Sequence, residues 1–388
     1  MKKSLLALAA MGAFAGTAQA QSSVTVYGTL DASVARVDTG LTTGNGLTTA
    51  LAGSATVSDR LGFRGVEDLG GGKTAIFQLE TGIAPFSANN GQAGAGDGTA
   101  KSQSTPGSFI TTRRPMFVGL SDKALGTLQA GSMYSLGFNF TGWGDVAGNN
   151  TLGTNLSQAT VVSSTADAVA TTTTNTTAAF KMNANALQYV SPTWNGLTVT
   201  TYSVLQSAAA SGAGKVNALG ISYTLGGLSL NSVYEVKQVT TNSPAIKHTT
   251  MGLGAGYNFG VVNVRVAHQK GDLVTTTMGA TGTTGTVSVT KFTAIAPVTP
   301  VIDIFGGYVM LSENAAGSLY GAANVNKKAT LVSAGATYKF SKRTNVYAVY
   351  TSLDNDSVSN FTNVGTRAGA GGVGTDPNAL HIGMRHSF

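Results

Sequence analysis

The sequence predicts an all-β fold, a 16-stranded antiparallel transmembrane β-barrel with an inward-folded third loop. Three observations carry that expectation. Apolar and polar residues alternate in segment after segment of roughly ten residues, the period of a strand with one apolar face and one wet face. The connections alternate between very short and long. The segments number about sixteen, an even count. Lipid holds no water to satisfy an open sheet edge, so a spanning sheet must close on itself.

The elements follow in chain order. Lys2 and Lys3 precede the apolar run "SLLALAAMGAFAG" and the small-residue site "AQA", the pattern of a secretory signal peptide over residues 1–20. The run is too short to span a bilayer, and cleavage after Ala20 leaves residues 21–388 as one barrel. In "VTVYGTLDASV", Val24, Val26, Leu30, Ala32 and Val34 share one face and Thr25, Tyr27, Thr29, Asp31 and Ser33 the other. Strand starts are expected near residues 24, 58, 73, 109, 126, 180, 197, 217, 228, 249, 261, 285, 300, 328, 343 and 378. Tight turns are read at Gly226 and Gly227, at "NFGVV", at "SPTWNG" and at "SKRT". Long connections are read over Gly40–Thr56 and Phe86–Ser108. The longest, about residues 138–179, follows the fifth strand, and folded inward it narrows the pore. Tyr27, Tyr257, Tyr338 and Phe340 lie near strand ends, as interfacial aromatic girdles do.

Composition excludes several classes. The 51 glycines are evenly spread, and only 11% of residues are charged, too few for the surface of a soluble protein of this size. The absence of cysteine rules out disulfides, thiol catalysis and cysteine-ligated metals. The net charge of +7 falls to about +5 without Lys2 and Lys3, and its dispersed Lys and Arg suit a basic lumen rather than nucleic acid. His248, His268, His381 and His386 lack metal-ligand spacing. The glycine-rich "EDLGGGK" and "GLGAGYNFG" belong to strands and a tight turn, not to a phosphate-binding strand–loop–helix. No catalytic residue, cofactor or metal is expected. A soluble sandwich array or a solenoid is the competing fold, but no fixed repeat supports the solenoid and sandwiches leave the alternating loop lengths unexplained.

The segments "QSSVTVYGTLDASV", "SDRLGFRGVEDLGGGKTAIFQLETG", "RPMFVGLSDKALGTLQAG", "QYVSPTWNGL", "FSKRTNVYAVY" and "HIGMRHSF" resemble the Gram-negative general porins, most closely the betaproteobacterial branch related to the neisserial porins. The resemblance implies a homotrimer of barrels in the cell outer membrane, in contact with lipid and lipopolysaccharide. Each barrel would pass small ions and hydrophilic solutes by passive diffusion, with basic wall residues facing the third loop. It also implies that the terminal Phe388 is read by the outer-membrane assembly machinery.

Carried over by position, the wall arginines are Arg60 and Arg114. With Leu61, Phe63 and Gly65 toward lipid, parity turns Arg60 and Arg64 inward; Phe117 is expected on the lipid side. Ala75, Phe77 and Leu79 face out, so Gln78 and Glu80 face in, and Asp31 shares the inner face of the first strand. The chain departs from the family at Gly131, Ser132 and Met133, and at Met182, where the neighbouring Lys181 takes the basic role only across a bulge. The third loop offers only Asp145 and Asp167 as acids, so anions should be preferred. The alternatives are a substrate-specific channel and a barrel adhesin. In the closing strand Leu380, Ile382, Met384 and Phe388 face lipid, while His381 and Arg385 face the lumen.

Overall fold

A computed structural model describes residues 23–41, 46–53, 55–83, 110–145, 182–205, 215–239, 245–277, 280–315, 326–359, 361 and 373–388. The expected signal peptide, Lys181, Asp167 and most of the third loop lie outside these described residues.

Strand β1 (Ser23–Asp38) opens the wall. Its first half, Ser23–Thr29, pairs with β3 (Arg60–Gly70), and its second half, Ala32–Asp38, pairs with β2 (Leu47–Gly53). Seventeen strands among the described residues therefore fill sixteen places in one closed antiparallel sheet, because β2 and β3 share a place. The stretch Gly40–Thr56, expected to be a loop, contains β2. Its short strand hides in a run of Thr, Gly and Ala, and only pairing with β1 reveals it.

The wall continues through β4 (Lys73–Ile83), β5 (Ile110–Asp122), β6 (Gly126–Tyr134), β7 (Met182–Val190), β8 (Leu197–Val204) and β9 (Lys215–Leu225). It then runs through β10 (Leu228–Val239), β11 (Ala245–Asn258), β12 (Asn263–Thr277), β13 (Ala280–Pro297) and β14 (Ile302–Ala315). Last come β15 (Lys327–Lys339), β16 (Thr344–Asn355) and β17 (Asn378–Ser387). Pairing of β17 with β1, from Thr29↔Ser387 to Asp38↔Asn378, closes the ring. The expected turns fall between β7 and β8, β9 and β10, β11 and β12, and β15 and β16, all at one end.

The outer face is apolar where membrane meets it: Val24, Val26, Phe63, Leu79, Val118, Leu120, Leu253, Phe292 and Ile382 are all exposed. At the short-turn end Tyr257 lies 4.6 Å from Phe259, and Tyr338 lies 5.1 Å from Phe340, giving paired aromatics at an interface. Tyr27 does not join them, for reasons given below. Phe388 extends β17: its N–H donates to the Gly28 carbonyl and the Gly28 N–H to its carbonyl, both at 3.1 Å. Its ring lies over Gly28, where a Cβ would come within 2.4 Å of it.

Asp31 departs from its expected place among open lumen charges. It is 0% exposed, and its Oδ2 accepts from Thr56 N (2.7 Å), Thr56 Oγ1 (2.6 Å) and Val57 N (2.8 Å). Tyr347 Oη donates to its other oxygen, and the Asp31 N–H donates to Asp59 Oδ1 at 2.6 Å. A buried carboxylate needs this many donors. Here three come from Thr56 and Val57 in the break between β2 and β3, which Asp31 straps to the wall, and one from Tyr347 of β16.

Candidate pore constriction

The basic cluster is built on β3, β4 and β5. Arg60 and Arg64 alternate on β3, with Gly62 between them paired to Glu80 of β4. Pro115, which lacks a ladder N–H, is accommodated where one residue of β4 faces two of β5: Leu79 pairs Met116 and Thr81 pairs Arg113. Arg114 and Pro115 thus stand opposite Glu80, and the extra residue resets parity downstream. The consequence corrects an expectation. Phe117 pairs with Gln78 and packs against the inner cluster of Met133, Leu136 and Phe140. It faces the lumen, while Met116 and Val118 are exposed on the membrane side.

Glu80 is the hub of the cluster. Its Oε1 receives Arg114 Nε and stands 3.9 Å from Arg60 Nη1; its Oε2 accepts from Tyr27 Oη at 2.8 Å. Tyr27 lies across β3 because Gly62 has no side chain: a Cβ there would sit 2.4 Å from the ring. Tyr27 is therefore an inward residue. Arg64 stacks over the Tyr27 ring at 5.4 Å and is exposed, and Arg114 lies 6.0 Å from the Tyr134 ring. Two guanidiniums thus meet one carboxylate, a third stacks on the tyrosine bonded to it, and Gln78 pairs opposite Arg64.

The start of the long connection after β6 enters the barrel as helix α1 (Leu136–Gly142), capped by Ser135, whose Oγ accepts from Phe138 N at 3.1 Å. The helix rests on the inner face of β9–β13. Gly137 N donates to Glu235 Oε2 (3.0 Å), Gln269 Nε2 to Gly137 O (3.1 Å), and Lys291 Nζ to Thr141 O (2.6 Å). Glu235 is held in turn by Lys237 Nζ at 3.0 Å. The glycines of "GLGAGYNFG", set aside in the sequence, make the bed. A Cβ on Gly252 would lie 2.5 Å from the Phe140 ring, and one on Gly254 2.2 Å from Trp143. Alternate glycines at lumen parity, facing a loop rich in aromatics, were the signal that could have found this contact. Met251 and Leu253, on the other parity, are exposed to the membrane.

The structure brings Arg60, Arg64, Arg114, Glu80 and Gln78 together and sets Asp31 and Asp145 apart. Asp145 is 9% exposed and lies near Lys291 of β13, across the ring from β3–β5 and apart from the arginines. Near Arg265, stacked 5.6 Å from Trp143, it belongs to the seat of α1. The bulge on which the role of Lys181 depended does exist in β7. Gly131 pairs Ala186 and Met133 pairs Asn183, and Asn185 takes φ +58°.

A closed sheet with an apolar exterior, a charged interior and a helix seated against its inner wall defines a membrane-spanning channel barrel. The family model for Gram-negative porins matches residues 7–358, and the chain belongs to that family. It is 27% identical over the full length of both chains to outer membrane porin protein 32 of Delftia acidovorans. It is 38% identical over 105 residues, 24% of this chain and 27% of the relative, to an outer membrane porin of Bordetella pertussis. Among solved structures it resembles an anion-selective porin from Comamonas acidovorans, with a TM-score of 0.76 and 22% identity, covering 95% of this chain and 100% of that one. The trimer form of OmpT from Vibrio cholerae gives a TM-score of 0.63 at 13% identity, covering 95% and 99%. The protein is an outer-membrane porin, and the expected fold and compartment are borne out.

Proposed function

We propose that this porin is an anion-preferring diffusion channel, and that Arg60, Arg64 and Arg114 with the single carboxylate of Glu80 supply the preference. The observation that carries the reading is the charge count at that wall, three guanidiniums against one carboxylate. An ion passing such a wall meets a net positive field, which favours anions and disfavours cations to the same degree. The likeness to a porin described as anion-selective supports it. Solutes pass without covalent chemistry, so no catalysis is assigned.

The same reading includes export behind a cleaved leader over residues 1–20, with residues 21–388 forming the barrel. It includes trimerisation, contact with lipopolysaccharide, and recognition of Phe388 by the assembly machinery. Reversal potentials of the purified protein in a planar bilayer under a KCl gradient test the preference. A potential of the sign set by chloride is expected, and one set by potassium overturns the reading. Conductance rising nearly linearly with salt separates simple diffusion from a solute-binding channel, whose conductance saturates.

A further inference from the structure

We propose that the membrane face of β11–β15 carries a lipid-binding trough, which seats one acyl chain of a phospholipid from the periplasmic leaflet. The trough lies on the outer wall, apart from the pore and its ions.

The outward residues of these strands form two rows across the sheet. The row farther from the short turns is bulky: Val266 pairs Phe292, Tyr308 pairs Phe292 and Val332, and all four are exposed. The row nearer the turns is small: Val264 pairs Ala294, Ala294 pairs Gly306 and Gly306 pairs Ala334. The step between the rows is a groove of about 770 Å³ lined by apolar side chains, room for one ligand. Gly306 is its floor. Elsewhere in this barrel a ring lies where a strand glycine lacks a Cβ, within 2.4 Å of that position at Gly28, 2.1 Å at Gly65 and 2.5 Å at Gly252. At Gly306 the nearest partner is the Ser333 carbonyl oxygen at 3.7 Å, so the space stands open. A glycine inside a strand weakens it and often marks the close approach of a ligand.

Length and direction identify the occupant. The pairings from β11 to β15 span about 19 Å across the sheet. Tyr257 stands next to the end of β11, whereas Ala334 stands well inside β15, so the row climbs away from the short turns. With strands tilted by about 40°, the climb is about 12 Å, most of the ~15 Å of one hydrocarbon leaflet. Short turns are periplasmic in such barrels, so the acyl chain enters from that side. The entrance is open because the Tyr257 ring leans over Gly227, where a Cβ would lie 3.1 Å from it, and packs on Phe259 at 4.6 Å. Tyr350, opposite Ala334 on β16, stands beyond the far end. The turns at the entrance, residues 225–227 and 259–262, carry no charged side chain, so a zwitterionic headgroup fits there better than an anionic one.

The test uses the full chain, purified in detergent, with bound lipid counted by native mass spectrometry. Dioleoylphosphatidylethanolamine should stay bound as one lipid per chain. Gly306→Leu and Ala294→Leu, which fill the floor from two strands, should each weaken its retention about tenfold, the worth of roughly two displaced methylenes. Ile221→Phe, on the exposed face of β9 outside the trough, should leave retention unchanged. Unit conductance in planar bilayers should be the same for all three variants, which shows that their barrels are folded. The inference is overturned if both leucine variants, still conducting, hold the lipid as tightly as wild type does. It is also overturned if wild type holds dioleoylphosphatidylglycerol or lipid A about tenfold more tightly than the zwitterionic lipid. A change of oligomeric state in the leucine variants would make a second copy of the chain the occupant, and that too overturns it.

Discussion

Replacing Glu80 by Gln removes the one carboxylate of the wall cluster, shared by Arg60 and Arg114 with Arg64 stacked on the neighbouring Tyr27, and raises the cluster from a net of two positive charges to three. An anion passing about 8 Å away gains on the order of 0.5 kcal/mol per added unit charge in bulk water, and a cation loses the same. Ionic screening reduces this to about 0.4 kcal/mol at 0.01 M salt and about 0.2 kcal/mol at 0.1 M. The permeability ratio should therefore rise about fourfold at the lower salt and about twofold at the higher. The same change leaves Arg114, only 7% exposed, without its carboxylate. Removing one partner of a buried ion pair costs on the order of 3 kcal/mol, less where lumen water reaches the guanidinium. Reversal potentials at the two salt concentrations give the first effect, and the temperature at which the folded barrel unfolds on a gel gives the second. A ratio that is unchanged, or that falls, in a barrel still folded refutes the argument that Glu80 tempers this wall.

Gly254→Val should drive Trp143 off β11, because a Cβ at that position lies 2.2 Å from the indole. Single-channel recording should show an altered unit conductance with more frequent sublevels, and a wild-type trace would mean that α1 does not depend on the glycine bed. Asp31→Asn keeps one acceptor oxygen but points an NH2 group at donors, so it should destabilise the barrel by about 2 kcal/mol, read as a lower unfolding temperature with selectivity intact. Deleting Phe388 removes two backbone hydrogen bonds to Gly28 and the ring above it. Yield of assembled protein should drop while unit conductance of the surviving channels stays the same, and a normal yield counts against the role given to that residue.

The wall was legible in the sequence because a sheet in lipid has a strict rule: alternate residues face alternate media, and one fixed residue fixes its neighbours. That rule placed Arg60, Arg64, Gln78 and Glu80 on the inner face, and the same parity held through Leu380, His381, Ile382 and Met384 of β17. It failed where the ladder is irregular. Phe117 was assigned to lipid because the extra residue at Arg114 and Pro115 is invisible to a period of two, although the proline itself was the available hint. Tyr27 had the right parity and the wrong assignment. Its place near a strand end suggested an interfacial girdle, whereas the missing side chain at Gly62 lets its ring lie inward and its hydroxyl reach Glu80. Asp31 and Asp145 show the further limit of pattern. Both are buried within the barrel, Asp31 holding the backbone of the β2–β3 break and Asp145 lying near Lys291 at the seat of α1. Parity gives the side of the wall on which a charge lies. Whether an ion ever meets that charge depends on the groups around it, and those arrive from residues distant in sequence: the donors Thr56 and Tyr347 for Asp31, the nearby charge of Lys291 for Asp145. The anion preference proposed for this pore thus depends on which carboxylates are already engaged as much as on how many arginines there are.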